Sequence, residues 1–492
     1  MSRPGGPRGV TAPGEAWPAR RRRGILAGLL VCGVCGICGW GASVAGNAPP
    51  AGSLALDGFF DDLEKRTFNY FWETTNPANG LVPDTYPSGS DASIAAVGFG
   101  LTAYPIGVER GYIERRAARQ RVLATLRFFA DADNEHGFFY HFIDLKSGER
   151  VRRSEISTID TTLLLAGVLF CQSYFDEDEP AEREIRNLAD EIYRRVDWSW
   201  AANHPPAISM GWTPEQGFIR FDWLGYDEAM ILYVLALASP THPAGADAWH
   251  AWTSTYDKHW GTLYGQTHLS FGPTLGHQYS HVWIDFRGIR DDWMRHHDLD
   301  YFENSRRAAY AQRQYAIENP MHWRDYGANV WGLTACDGPG RRAHAVGGEE
   351  RRFYAYAARG VGLEGVLDDG TIAPTAALGS LPFAPEIVIP AAREMRERFG
   401  ASIYSTYGFR DAFNPSVASD PAQPASAGDA GWVDRDYIGI DEGPIVTMIE
   451  NYRSGLVWRV MRDNPYIRRG LERAGFSGGW LRPPGESAKG EK

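Results

Sequence analysis

Residues 217–228 run Gly-Phe-Ile-Arg-Phe-Asp-Trp-Leu-Gly-Tyr-Asp-Glu, and the last two acids, Asp227 and Glu228, stand directly before the apolar stretch 229–238. A carboxyl group next to an apolar segment is costly to ionise unless it is paired. Its placement beside Trp223 and Tyr226 therefore suits a binding site that tunes a carboxyl pKa, a combination used in carbohydrate chemistry. The pattern recurs twice. Glu155 and Asp160 precede the apolar run 161–170, after an aromatic opening at 137–142, and Asp441 and Glu442 precede the run 445–452. An acid in the first turn of a helix can simply cap free N–H groups and complement the dipole, worth about 0.3–1 kcal/mol. Capping does not require aromatic loops, and all three acid-headed runs have them.

Two carboxyl groups suffice to cleave a glycosidic bond. One protonates the leaving oxygen and the other acts as nucleophile, or as base on water, and their separation sets the stereochemical outcome. The chain's 17 Trp, 23 Tyr and 23 Phe supply faces that stack on sugar rings, although the same residues are ordinary core material in a large helical domain. No metal pattern is present: His296 and His297 are adjacent rather than at ligand spacing, and no His-Glu-x-x-His occurs. Phosphate loops and dinucleotide fingerprints are also missing from the sequence, so no cofactor is called for.

The N-terminus has the layout of a secretory signal peptide. Arg20 to Arg23 precede an uncharged segment, 24–40, and Ser43-Val44-Ala45 offers a small-residue cleavage site. The expectation is a signal peptide over 1–45, a short linker over 46–53, and a periplasmic or secreted protein. Cys32, Cys35 and Cys38 fit a lipobox poorly, the arginines lack the polar run of a twin-arginine signal, and the glycine-rich segment makes a poor membrane anchor. Removing 1–45 takes away six arginines and one glutamate, so the net charge moves from −11 to −16. So acidic a chain is a poor partner for nucleic acid, and neither a membrane nor an oligomeric partner is expected for the mature protein, which is read as a monomer. Cys171 and Cys336 then remain, which implies no disulfide framework.

Helical periodicity predicts helices near 59–74, 93–108, 114–131, 161–175, 180–196, 229–239, 246–260, 301–318, 374–378, 384–399 and 443–462. Segments apolar all round alternate with amphipathic ones such as 114–131. This alternation fits an all-α toroid in which inner helices line a core and an outer layer covers them, with short hairpins in loops such as 137–152. No linker is evident inside 54–476, which reads as one domain, and 477–492 reads as a disordered tail.

Seven strings carry a family resemblance: SEISTIDTTLLLAG, GYDEAMILYVLALASPTHP, HQYSHVWIDFRGIRD, NVWGLTACDGP, DGTIAPTAALGSLPF, YGFRDAFNP and GIDEGPIVTMIENYRSGLVW, in this order. They resemble the bacterial glucoamylase-like family, related to glycoside hydrolase family 144, the endo-β-1,2-glucanases, and to the glucan-processing domain of cyclic β-1,2-glucan synthases. The resemblance spans nearly all of 54–476 and implies an (α/α)6 barrel that hydrolyses a glucan, with β-1,2 linkage as the leading expectation. A glucosidase of another linkage or chain-end preference, and a glucan-binding barrel without catalysis, are the alternatives.

The resemblance also implies roles. Glu228 matches the family's proton donor, with Asp227 as its competitor. Asp160 matches an acid near the cleaved bond, although its motif departs from the family 144 form, so it is either base or sugar-binding group. Asp441 and Asp411 are competing bases, and inversion is favoured over retention. Expected substrate contacts are Glu155, Trp223, Tyr226, Asp227, Thr371 and Trp331, then His281, Trp283, Asp285 and Arg287 on an extended segment with one face in the cleft, and Tyr407, Phe409 and Phe413 as subsite walls.

Overall fold

The computed structural model describes residues 56–89, 91–346, 349–418 and 429–481. The expected signal peptide and linker lie outside the described residues. Among the helices of the described residues, the two layers include α1 Gly58–Thr74, α2 Ile94–Glu109, α3 Arg115–Asp131, α4 Thr158–Tyr174, α5 Pro180–Arg194, α6 Met230–Ala238, α7 Ala248–Thr253, α8 Tyr279–Trp283, α9 Tyr301–Glu318, α10 Pro374–Leu378, α11 Pro385–Phe399 and α12 Gly439–Arg453. The even-numbered helices, except that α12 is polar at both ends, are apolar almost all round and form the inner ring. The odd-numbered ones cover it, and the result is the expected all-α (α/α)6 toroid.

Sequence explains the layering. In α2, every residue from Ile94 to Gly107 is buried, and in α6 all nine residues are. A helix with no polar face is stable only inside. By contrast α3 buries Val122, Leu126 and Phe129 on one stripe, while its Arg115 and Arg119 pair with Glu182 of α5. Each such buried side chain contributes roughly 1.5–3 kcal/mol.

Neighbouring inner helices are tied by polar groups at their heads and flanks. Trp283 Nε1 of α8 donates to Thr102 Oγ1 of α2 at 2.9 Å, and Asn451 Nδ2 of α12 donates to Val282 O at 2.9 Å. Thr375 Oγ1 of α10 donates to Asp441 O at 2.7 Å, and Ile231 N of α6 donates to Ser280 Oγ at 3.0 Å. Between α2 and α4 the backbones touch. A Cβ added at Gly98 would lie 2.1 Å from Leu163 O, and one added at Gly167 would lie 2.2 Å from Gly98 O.

Short antiparallel pairs knit the loops that lead into the inner helices. Asp91–Ser93 pairs with Phe142–Asp144 ahead of α2, and Ile156–Ser157 pairs with Gly211–Thr213 ahead of α4. Thr85–Tyr86 pairs with Tyr437–Ile438 ahead of α12. The functional loops are thus fixed to one another at one end of the ring.

Three boundaries differ from the sequence reading. The helix expected over 246–260 ends at Thr253, and a separate turn, Tyr256–His259, leads into the strand Trp260–Leu263. The helix expected over 443–462 breaks after α12, because Gly455 takes φ +66°, a left-handed conformation open to glycine, before a new helix at Leu456–Arg462. The tail expected to be disordered from 477 continues the fold as far as 481. Ser477–Gly478 pairs with Ile289–Arg290, and Trp480 Nε1 donates to Asp285 O at 2.6 Å. Residues 482–492 lie outside the described residues.

Candidate active site

Chemistry-bearing side chains gather where the inner helices begin. Ser157 is the N-cap of α4. Its hydroxyl accepts from Asp160 N at 3.1 Å and donates to Asp160 Oδ2 at 2.5 Å, so capping is done by the serine and the Asp160 carboxyl is left facing the loops. The other carboxylate oxygen, Oδ1, lies 3.5 Å from His141 Nε2, and His141 Nδ1 lies 2.9 Å from Glu155 Oε1. Burial raises the Asp160 pKa against the opposing pull of His141 and Ser157. Although burial disfavours its charged form, the His141 imidazole is pushed up to about 9 by Asp160, Glu155 and Asp84.

Asp227 and Glu228 divide between two tasks. Asp227 Oδ1 accepts from Ala229 N at 2.9 Å and from Trp252 Nε1 at 3.4 Å, which makes it a buried capping group at the head of α6. Glu228 is half-buried, and its Oε2 has no hydrogen-bond partner among the described residues. Burial, with a further push from the charge of Asp160, moves the Glu228 pKa up to about 7. Such a carboxyl is partly protonated near neutrality, and its Oε2 is free to meet a ligand.

A second group of acids comes from the late loops. Asp441, in the first turn of α12, and Asp411 are both buried, and the charge of Asp441 acts on Asp411. Two buried carboxyl groups that act on each other do not readily ionise together. Burial pushes Asp441 up to about 7, with Asp337 and Asp84 adding to it. Asp411 is raised well above the carboxylate range by burial, then by Asp441, Asp434 and Asp337. Asp337 N donates to Asp411 Oδ2 at 2.9 Å and holds it in place. Asp434 Oδ2 is buried without a partner, and burial, with Asp337 and Asp436 adding, raises its pKa to about 7. Tyr279, at the head of α8, lies in the combined field of Asp441, Glu228 and Asp160, which places the two groups of acids around one point. Tyr86 and Tyr356 offer exposed rings, at 37% and 41%, near the late acids.

The expected substrate contacts fare unevenly. Glu155 reaches the site through His141. Trp223 and Tyr226 are buried behind Glu228, Trp223 donating to Thr158 Oγ1 at 3.0 Å and Tyr226 stacking on Tyr301 at 5.9 Å. The segment expected to be extended at 281–287 is corrected. Tyr279–Trp283 is helical, His281 and Trp283 are fully buried, and Asp285 lies past the other end of α8, clamped by Arg287 at 2.7 and 2.8 Å and by Arg462. Arg287 stacks on Trp458 there. Trp331, Thr371, Phe409 and Phe413 are each at most 1% exposed and fill the core, so they are not walls of an open cleft. Tyr407 is buried beside Tyr86, with its hydroxyl 3.3 Å from Glu73. Sequence reading passed over His141, Asp84, Asp337, Asp434, Tyr279 and Tyr356. His141 sat in the open, one histidine in an aromatic run before an acid-headed helix.

The family model of Glycoamylase, described as "Putative glucoamylase", matches residues 220–465, half of the chain. The chain belongs to the Glycoamylase family. A solved Glycoamylase structure from Bacteroides uniformis, carrying the same description, is 31% identical, with a TM-score of 0.76 over 87% of this chain and 100% of that one. An endo-β-1,2-glucanase from Chitinophaga pinensis, solved with sophorotriose and glucose, is 29% identical, with a TM-score of 0.75 over 87% of this chain and 100% of that one. An exo β-1,2-glucooligosaccharide sophorohydrolase (non-reducing end) from Parabacteroides distasonis is 29% identical over 445 residues, 84% of this chain. The chain spans 57% of the length of that relative. Among the described residues no group of three or more His, Cys, Asp or Glu could hold a metal ion, and no helix is long and apolar enough to cross a membrane.

Proposed function

We propose that this Glycoamylase family member is a glycoside hydrolase that cleaves β-1,2-linked glucan with two carboxyl centres and inverts the anomeric carbon. The observation that carries the reading is a buried Glu228 oxygen with no hydrogen-bond partner among the described residues at the head of α6, together with the buried carboxyl groups of Asp441 at the head of α12 and Asp411 from a late loop, Glu228 and Asp441 both acting on Tyr279. Glu228 gives its proton to the glycosidic oxygen as the bond breaks. Asp441 takes a proton from the attacking water, and Asp411 stays protonated, so that the two late acids do not ionise at once. Positive charge that develops on the sugar ring meets the surplus of nearby carboxylates, which stabilises the transition state more than the ground state. The linkage rests on the names of the relatives, an endo-β-1,2-glucanase and a β-1,2-glucooligosaccharide sophorohydrolase, which share it and differ in chain-end action. We also propose export from the cytoplasm, supported by Arg20 to Arg23, the uncharged segment after them and Ser43-Val44-Ala45.

Product analysis tests the reading. Residues 46–492 incubated with linear β-1,2-glucan, β-1,3-glucan, β-1,4-glucan and starch are expected to release short saccharides from the first polymer alone, with the α-anomer forming first by polarimetry. Release from starch alone, or from no polymer, overturns the assigned linkage. First formation of the β-anomer overturns inversion.

A further inference from the structure

We propose that His141 is a positioning residue, a doubly protonated imidazole that bridges Glu155 and Asp160 and holds the Asp160 carboxylate ionised and aimed into the site. The inference rests on the hydrolase reading above and deepens it. Geometry favours the doubly protonated ring: each nitrogen faces a carboxyl oxygen, Nδ1 at 2.9 Å from Glu155 and Nε2 at 3.5 Å from Asp160, and with both carboxyl groups ionised each nitrogen carries a hydrogen. The ring cannot easily turn away. It stacks on Phe142 with centroids 3.7 Å apart, and its backbone is bonded on both sides, His141 N donating to Glu155 O at 2.9 Å and His141 O accepting from Ile94 N at 3.3 Å.

The Asp160 carboxylate is then saturated by protein on both oxygens, His141 on one and Ser157 on the other. A carboxylate so engaged is a poor base. Its service is electrostatic: the negative charge of Asp160 acts on Glu228 and favours the proton on that acid. His141 thus acts on the reaction through two other residues. The groups that face it are Glu155, the residue before the strand ahead of α4, Asp160 from α4 and Asp84 from the loop ahead of α2. Arg150 acts on Glu155 from the same hairpin as His141, and Arg152 of that hairpin is paired with Asp91.

The test combines a readout that needs no turnover with one that does. In nitrogen-detected NMR of the wild-type protein, His141 is expected to show both nitrogens protonated at pH 7.5 and to titrate at lower pH in Asp160→Asn. A neutral His141 at pH 7.5 overturns the proposal whether or not any glucan is cleaved, so its failure is distinct from that of the hydrolase reading. For hydrolysis, His141→Gln is expected to lower kcat about 10–100-fold with KM changed less than about threefold, and to move the acid limb of the kcat/KM profile upward. The double variant His141→Gln/Asp160→Asn is expected to be no slower than Asp160→Asn alone, because the two residues act in series. An unmoved pH profile, or additive losses in the double variant, assigns His141 a purely structural place and overturns the proposal. If His141→Gln does not fold, the wild-type NMR measurement decides alone.

Discussion

Asp285 and Asp441 are both buried aspartates attached to inner helices, yet they behave in opposite ways. Asp285 lies past the C-terminal end of α8 and is held by Arg287, by the Arg287 backbone N–H at 3.1 Å and by Arg462. Despite its burial, these partners keep its pKa below the usual aspartate value. Asp441 lies in the first turn of α12 with no basic side chain among the groups that act on its charge, and its pKa rises to about 7. Burial alone does not mark a reactive acid. What marks it is burial without a counter-charge, an arrangement that costs stability and that a purely structural role would not retain.

The largest effect that could break this contrast is at Glu228. Glu228→Gln is expected to lower kcat by about 10³-fold while the protein stays folded and still binds glucan by calorimetry; undiminished hydrolysis would remove the residue from the acid role. Asp441→Asn is expected to cost about 10²-fold in kcat with little loss of thermal stability. Asp285→Asn should show the reverse, a loss of about 3 kcal/mol in denaturant unfolding because two guanidinium groups lose their partner, with kcat preserved in the folded fraction.

A subtler test follows from pH. Glu228 and Asp441 have folded pKa values above their unfolded ones, so the native state binds their protons more tightly. The stability they contribute is full below about pH 4 and is lost as the pH rises through about 7. Asp285 has the opposite sign: its contribution is present above about pH 4 and is lost below. The unfolding temperature is therefore expected to fall between pH 5 and pH 8 in the wild type and to fall less steeply in Glu228→Gln and Asp441→Asn, whereas Asp285→Asn should keep the wild-type slope over that interval. The smallest effect belongs to the exposed pair Arg127–Glu184 at 2.7 Å, where Arg127→Ala should change stability by less than about 1 kcal/mol.

The inner helices were legible because a wholly apolar segment has one place to go. The run 161–170 and the run 229–238 announced α4 and α6, and the acids before them announced the site. Helix α8 was not legible, since five residues carry too little periodicity to be told from a strand, and the error carried His281, Trp283 and Asp285 with it into a presumed cleft. Aromatic residues in loops misled for a related reason. Trp331, Phe409 and Phe413 fill the spaces where loops cross the ends of the inner helices, a demand for bulk that composition cannot distinguish from a demand for sugar stacking. His141 escaped notice because its meaning lies in two partners, one of them 14 residues away and the other 19, whose approach only the folded loops create.

The contact between Gly98 and Gly167 bears on how a ligand would be received. With no side chains between them, α2 and α4 behave as one plank, and the loops at their heads, which carry His141, Glu155 and Asp160, are nailed to the same piece. This wall of the site is a mould cast before any saccharide arrives. For the proposed glucan substrate, selection at this wall is by fit to a fixed shape.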